Sequence, residues 1–598
     1  MSKKTHLMLL VIFVCSQLLM GVAVADCGSH QVESGIVVYS VPAISNTPVL
    51  PEMDMQNIGN VNCLVTIAAA KGEYEPTSIV VNSRIKEFPN ATIKVTSLVG
   101  QYGSIGPNYL DVKIVKPWYQ SNGAWFEVGR PIFQQDNPIL VPELLLNDES
   151  LIKVDYKNKG NFVREKWKNG SQYVWVSSVQ KVKNPVLNFD PEFTIQDADE
   201  LKSVDLEKNK NKQLWITVHV PESVSPGRYD GKIIIMDGAK VLGEVGLRLN
   251  VRKFKLLDSR IEYSIYYHGR IHKTERPSLS SEYKSPEQLR AELKDMLEHG
   301  FKNPVVYQPP FGDANVSENG FKQYLRIRKE VGIDNRKLYL IFLNSNEVQG
   351  YGRLKEFENN VRLVKEMSKE YGVEELYIYG KDEAKGDELV AQRRAWEIAH
   401  NLGCKIFAAG AAGVYELVGD LLDLFISSQS PMLQEAKKFH SVNHRIFSYA
   451  NPQGGVENPY VYRRNYGLLL WAAEFDGAMV YAYQDSMGDG WNDFDNVLRD
   501  HNLTYPTTDG VIKTIAWEGL REGIDDVRYV NTLEDLINSV TFSSDRHKAI
   551  VAMQARDYLL KLKSLLNGLN NYGRYTSNSI IDLDNTRSVI AAYIEQLM

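Results

Sequence analysis

The sequence predicts a multidomain chain: an N-terminal β-sandwich, a (β/α)8 TIM barrel and a C-terminal helical segment, bounded at 26–254, 255–530 and 531–598. Two patterns predict this. Residues from about 30 to 252 carry short alternating or β-branched runs split by turn residues, without a long helical period. From about residue 255, eight strand-like runs alternate with eight helical segments over roughly 270 residues, the count a TIM barrel needs. The length of 598 residues agrees, because it exceeds what one hydrophobic core supports.

The first 25 residues read as an export signal. Lys3 and Lys4 precede the apolar run Leu7 to Leu19, and Ala23-Val24-Ala25 is a small-x-small cleavage site. The run is short for a membrane span, so a periplasmic or secreted chain with no span is expected. Asp26 ahead of Cys27 disfavours a lipid anchor. In an exported chain Cys27 and Cys63 can pair, whereas Cys404, beside Ile406-Phe407-Ala408-Ala409, reads as a buried thiol.

In the sandwich region the expected strands are Gly35–Tyr39, Val61–Ala68, Thr77–Val81, Thr92–Ser97, Tyr109–Val115, Tyr173–Ser177, Leu214–Val220 and Lys232–Met236, with a turn at Asp237-Gly238. Lys157 to Asn169 reads as an exposed loop or hairpin tip. In the barrel the expected strands begin with Ile261–Tyr267, Pro304–Gln308, Lys337–Leu343 and Leu376–Tyr379. They continue with Lys405–Ala409, Leu424–Ser427, Arg445–Tyr449 and Ala478–Tyr483. A long helix is expected from Asp509 to Asp526, and helical pattern fills the rest.

Composition narrows the partners. The net charge of −6 leaves no basic excess to neutralise phosphates, so no nucleic acid is expected. No CxxC, HExxH or paired-histidine spacing appears, and no metal or other cofactor is expected. The 32 Tyr and 9 Trp suit either large cores or sugar-stacking surfaces.

The fourth barrel strand ends Tyr379-Gly380-Lys381-Asp382-Glu383. Strand C-termini face the active site of a barrel, so this acidic pair sits where chemistry occurs. On spacing alone, two solvated acids at a helix N-terminus explain it slightly better. The other strand ends tip the balance. They supply Tyr266-Tyr267-His268, Tyr307-Gln308, Asn344-Ser345-Asn346, Tyr449-Ala450-Asn451 and Tyr481-Ala482-Tyr483-Gln484-Asp485, and Trp491 follows in a Gly-rich loop. Aromatic faces with amides and acids fit a sugar site, so His268, Tyr307, Asn344, Tyr449, Asn451, Tyr483, Asp485 and Trp491 are candidate substrate-binding residues. Asp489 and Glu457 are expected to be exposed.

Tyr379-Gly380-Lys381-Asp382-Glu383 resembles the catalytic strand end of glycoside hydrolase family 123, the β-N-acetylgalactosaminidases, and of the broader domain-of-unknown-function 4091 set. Trp517-Glu518-Gly519-Leu520-Arg521-Glu522-Gly523-Ile524-Asp525-Asp526-Val527-Arg528-Tyr529 resembles the helix that closes the barrel there. Ala70-Lys71-Gly72-Glu73-Tyr74-Glu75-Pro76 and Pro226-Gly227-Arg228-Tyr229-Asp230-Gly231 resemble its N-terminal domain. The resemblance implies a glycan-cleaving enzyme that retains configuration by substrate-assisted catalysis. It implies that Asp382 orients the sugar's acetamido group and that Glu383 is the general acid and base. Tyr449 or Tyr483 could hold the acetamido oxygen. The family often has proline where this chain has Ala384. Two alternatives stand beside this reading: a hydrolase of another sugar with Asp485 as second carboxylate, and a non-catalytic carbohydrate-binding protein.

Overall fold

A computed structural model describes residues 34–598 except 57, 62, 122–124, 128–129, 132–137, 180–192, 314, 318, 344–349, 456–457, 487, 496–498, 541–544 and 571–580. The export signal and Cys27 therefore lie outside the described residues, as does Asn344. Cys63 is disulfide-bonded, and Cys404 is a free, buried thiol.

Two of the sheets in the N-terminal part share one apolar cluster. One has six strands in the order Ile139–Leu146, Leu110–Gln120, Asn211–His219, Tyr74–Ser83, Ile36–Val41 and Asn60–Val61. The other is centred on the hairpin Gly227–Asp237 and Lys240–Lys255, turning at Asp237-Gly238 with Gly238 at φ +56°. The long strand Lys240–Lys255 alternates buried and half-exposed residues, the period-2 signature of a half-buried strand. Ile79, Val81, Leu214 and Ile216 of the first sheet share one apolar cluster with Phe88, Ile233, Leu247 and Leu249 of the second. Lys157 to Asn169 is not one loop: the strand Gly160–Trp167 runs through it, leaving only residues 156–159 and 168–169 as turns. Its charged side chains hide an alternating pattern, with Val163 and Glu165 buried between the more exposed Phe162, Arg164 and Lys166.

The second part is a curled, parallel seven-stranded sheet. In spatial order its strands are Glu262–Ile265, Gly477–Val480, Arg445–Ser448, Leu424–Ser427, Lys405–Gly410, Glu375–Tyr379 and Lys337–Leu340. Leu424–Ser427 and Gly477–Val480 are buried along their whole length, as strands covered on both faces must be. The second expected strand, Pro304–Gln308, is reduced to one bridge, Val306 to Leu340. Val305 N–H donates to Ile265 O at 2.9 Å and Val306 N–H to Tyr339 O at 2.8 Å, so this segment touches both edges of the sheet. Pro304 and Pro309 lack the N–H groups that a longer ladder would need.

Helices flank the sheet between strands, including Pro286–Glu298, whose Ser285 and Gln288 form a reciprocal capping box. The helix expected from Asp509 starts later, at Ile515, because Val511–Lys513 pairs with Thr504–Pro506 in a hairpin. It then runs unbroken to Val540, through the expected boundary at 530. Arg546–Asn570 and Leu583–Leu597 follow.

A buried charge knot joins these parts. The Arg587 guanidinium donates to Asp526 at 2.6 Å, to Glu522 at 2.7 Å and to Glu75 at 3.2 Å, and Glu73 lies 3.7 Å away. Arg463 meets the far side of Asp526 at 2.8 Å. Breaking a buried pair leaves an uncompensated charge, typically at ~3–5 kcal/mol. Arg587→Met should lower the unfolding free energy by about that much. The urea midpoint checks this, and an unchanged midpoint would show that the acids find other partners.

Candidate active site

The strand Glu375–Tyr379 delivers the acidic pair. Leu376 and Ile378 pack outward under the helices, while Tyr377 and Tyr379 point to the inside of the curl. Gly380 fits where a Cβ would meet Trp396 at 2.9 Å and Ala408 at 3.0 Å. The next helix, Asp387–Val390, is capped by Gly386, so its first-turn acids are Asp387 and Glu388. Asp382 and Glu383 precede that turn and do not serve the helix terminus. Glu383 itself sits at φ +46°, in the left-handed region that costs a non-glycine residue about 1–3 kcal/mol. Its N–H donates to Ala409 O at 3.2 Å, which holds it there.

Each acid is held by a different tyrosine. Tyr379 Oη donates to Asp382 Oδ1 at 2.6 Å. Tyr449 Oη donates to Glu383 Oε1, from the strand end three places further along the sheet. Since Tyr379 gives its proton to Asp382, the 3.4 Å contact between Tyr266 and Tyr379 has Tyr266 as donor. Tyr266 is the centre of an aromatic floor, with the rings of Tyr481, Tyr449 and Tyr307 at 5.2, 6.2 and 6.5 Å. Burial pushes the Asp382 carboxyl above its ordinary value; the Tyr379 hydrogen bond opposes this and the neighbouring Glu383 charge adds to it. Burial likewise raises the Tyr449 hydroxyl, so it stays a donor.

His268, Tyr307 and Asp485 join this floor. The His268 ring packs on Tyr307 at 4.2 Å, and its Nδ1 faces Asp485 Oδ1 at 3.9 Å. Tyr481 Oη donates to Asp485 Oδ2. Three other candidates go elsewhere. Tyr483 points outward and donates to Asp295 Oδ2 at 2.9 Å, beneath Trp517, which leaves Tyr449 as the candidate tyrosine beside the acids. Asn451 is fully buried and trades hydrogen bonds with Asn465. Trp491 is 2% exposed, donates to Pro506 O at 3.0 Å and packs against Trp118 and Tyr505. Burying such a ring is worth roughly 4–6 kcal/mol, too much to release for ligand contact. It anchors its loop to the N-terminal sheets instead. Tyr266, Tyr379 and Tyr481 were not among the candidates, although the period-2 alternation of their strands would have placed them inside.

No family model and no curated protein matches the sequence. Among solved structures the chain is similar to a family 123 glycoside hydrolase from Clostridium perfringens, described for glycolipid glycan hydrolysis. The likeness has a TM-score of 0.61 at 14% identity and covers 94% of this chain and 98% of that one. The two chains share a fold. A family 39 glycoside hydrolase from Bacteroides cellulosilyticus aligns over 55% of this chain and 75% of that one at 14% identity, but its TM-score of 0.32 carries no argument.

The loop beyond Asp485 concentrates acids. Asp489 is half-buried, not exposed, and burial raises its carboxyl; Glu457 lies outside the described residues. Asp500 is 3% exposed, and neither carboxylate oxygen has a hydrogen-bond partner. Burial, then the charges of Asp493, Asp495, Asp485 and Asp489, push its carboxyl well up. Among the described residues no three or more His, Cys, Asp or Glu are arranged to hold a metal ion. A carboxyl raised in the folded state binds its proton more tightly than in the unfolded chain. That contribution to stability is full below the ordinary carboxyl range and is lost as pH rises through the folded value. Asp500→Asn, which cannot ionise, should flatten the fall in melting temperature as pH rises above the ordinary carboxyl range. Parallel melting curves for both proteins would reject a protonated Asp500.

Proposed function

We propose that the chain is a glycoside hydrolase acting on β-linked 2-acetamido-2-deoxy sugars, N-acetylgalactosaminides first among them, by retaining, substrate-assisted catalysis. The observation that carries this is the adjacent pair Asp382 and Glu383 on one strand end, each gripped by its own tyrosine above an aromatic floor. The family 123 fold supports it. We take the curled sheet and the Val305–Val306 segment together as the (β/α)8 barrel, and the two N-terminal sheets as the sandwich that braces it. Export by residues 1–25 to the periplasm or beyond is part of the same proposal.

Two acids on one strand end suit a reaction whose nucleophile belongs to the substrate. The acetamido oxygen attacks the anomeric carbon, displacing the leaving oxygen. Glu383 protonates that oxygen and then takes a proton from the attacking water. Asp382 accepts the acetamido N–H and stabilises the positive charge as the oxazolinium ring forms. Tyr379 keeps the Asp382 carboxylate aimed. Tyr449, released from Glu383 when substrate enters, is placed to donate to the acetamido oxygen.

Chromogenic β-GalNAc, β-GlcNAc and β-Gal substrates test the reading. Turnover of β-Gal as fast as β-GalNAc would sink substrate assistance. Glu383→Gln should lose on the order of 10²- to 10⁴-fold in kcat on poor leaving groups and less on activated aryl glycosides. Asp382→Asn should lose on the order of 10²-fold or more. Asp382 must be ionised, so activity rises with pH through its raised value. Tyr379→Phe removes a hydrogen bond that lowers that value, and the acidic limb of kcat/KM should move to higher pH. An unmoved limb would mean another group sets it.

A further inference from the structure

We propose that His268 and Asp485 form a clamp for one hydroxyl of the bound sugar and so decide which neutral sugar the cleft accepts. This deepens the carbohydrate reading above and rests on it. The two residues follow neighbouring strands, Glu262–Ile265 and Gly477–Val480, which pair in register at Ile265 and Val480. The 3.9 Å from His268 Nδ1 to Asp485 Oδ1 is too long for a direct hydrogen bond. It leaves one hydroxyl oxygen within hydrogen-bond reach of both. Both side chains keep a little exposure, 12% and 14%, so the gap is not sealed.

Neighbouring groups position both side chains. Tyr481 Oη occupies the other oxygen of Asp485, and the Asp485 N–H donates to Asn502 Oδ1 at 3.0 Å. Tyr307 packs on the imidazole face and Tyr481 meets its edge at 5.8 Å.

The chemistry of the clamp follows from its protons. Burial lowers the His268 pKa, against the pull of Asp485, so the imidazole is neutral and carries one proton. Nε2 is buried and has no hydrogen-bond partner. A buried N–H without an acceptor costs more than a buried, unused lone pair. The proton therefore sits on Nδ1, toward the carboxylate. A sugar hydroxyl in the gap accepts from His268 Nδ1–H and donates to Asp485 Oδ1. A deoxy or methylated position cannot make both bonds, and a uronic carboxylate would meet the Asp485 charge. The site is thus selective for a free alcohol at one ring position.

Calorimetric binding of N-acetylgalactosamine and its 3-, 4- and 6-deoxy forms to the full chain tests this, with His268→Ala and the near-isosteric Asp485→Asn alongside. Wild type should bind one deoxy sugar roughly 10- to 100-fold less tightly than the parent, the range of a hydrogen bond to a charged group. Both variants should bind that deoxy sugar and the parent alike. Equal binding of all deoxy forms by wild type, retained discrimination in both folded variants, or no sugar binding at all would overturn the clamp. Discrimination without hydrolysis would remove the catalytic reading and leave the clamp. Hydrolysis without discrimination would do the reverse.

Discussion

The buried guanidinium of Arg587 is the constraint that ties the molecule together. Glu73 and Glu75 come from the N-terminal sheets, and Glu522 and Asp526 from the long helix Ile515–Val540. Four carboxylates gathered away from water repel one another unless a cation sits among them. Arg587 supplies it from the last helix, and Arg463 adds a second charge from the helix after the seventh strand-like run. Burial still pushes the Glu73 carboxyl up to about 7, a sign of how much negative charge is packed there. Sheets, curled sheet and terminal helices are thus fixed by one electrostatic condition. Residues 73–75 and 522–526, far apart in sequence, meet at it.

That docking fixes the far side of the curled sheet, and the near side then follows from strand parity. Along each strand, alternate residues face the inside of the curl. The parity puts Tyr266, Tyr379, Tyr449 and Tyr481 into one floor and turns Tyr267 and Tyr483 away. A shift of one residue in any of these strands would exchange the two sets. The floor is apolar enough to raise Asp382 and yet ends in hydroxyls that can hold an acid. Glu383, forced to positive φ by the turn after Gly380, faces Tyr449 across the curl. Local strain and cross-sheet hydrogen bonding therefore serve the same end, two adjacent acids with separate partners.

Much of this was legible in the sequence. The parallel strands announced themselves as short apolar runs between helices, because burial on both faces removes polar residues. The acidic pair at 382–383 was visible as charge directly after such a run. The failures have physical causes. Trp491 stands in a Gly-rich loop, a pattern of an exposed rim, yet Trp118 from the N-terminal part and Tyr505 from the following hairpin bury it. Asn451 looked like a hydroxyl reader at a strand end, but Asn465 from the next helix satisfies its amide. Pro304–Gln308 looked like a strand, and its prolines leave only a few backbone hydrogen bonds to the two edges.

By itself the sequence determined the order of β-rich and α/β parts, the parallel character of the second and the place of Asp382 and Glu383 at a strand end. Those properties are local: hydrophobic period, turn residues and composition set them. Tertiary structure alone decided which tyrosine holds which acid, which aromatics are structural, and that His268 meets Asp485 across two neighbouring strands. Tyr379 and Asp382 are near neighbours in sequence, but the Tyr449–Glu383 and His268–Asp485 pairings join residues more than sixty and more than two hundred positions apart. Only the register between strands, fixed by packing on both faces of the sheet, brings them within a few ångströms.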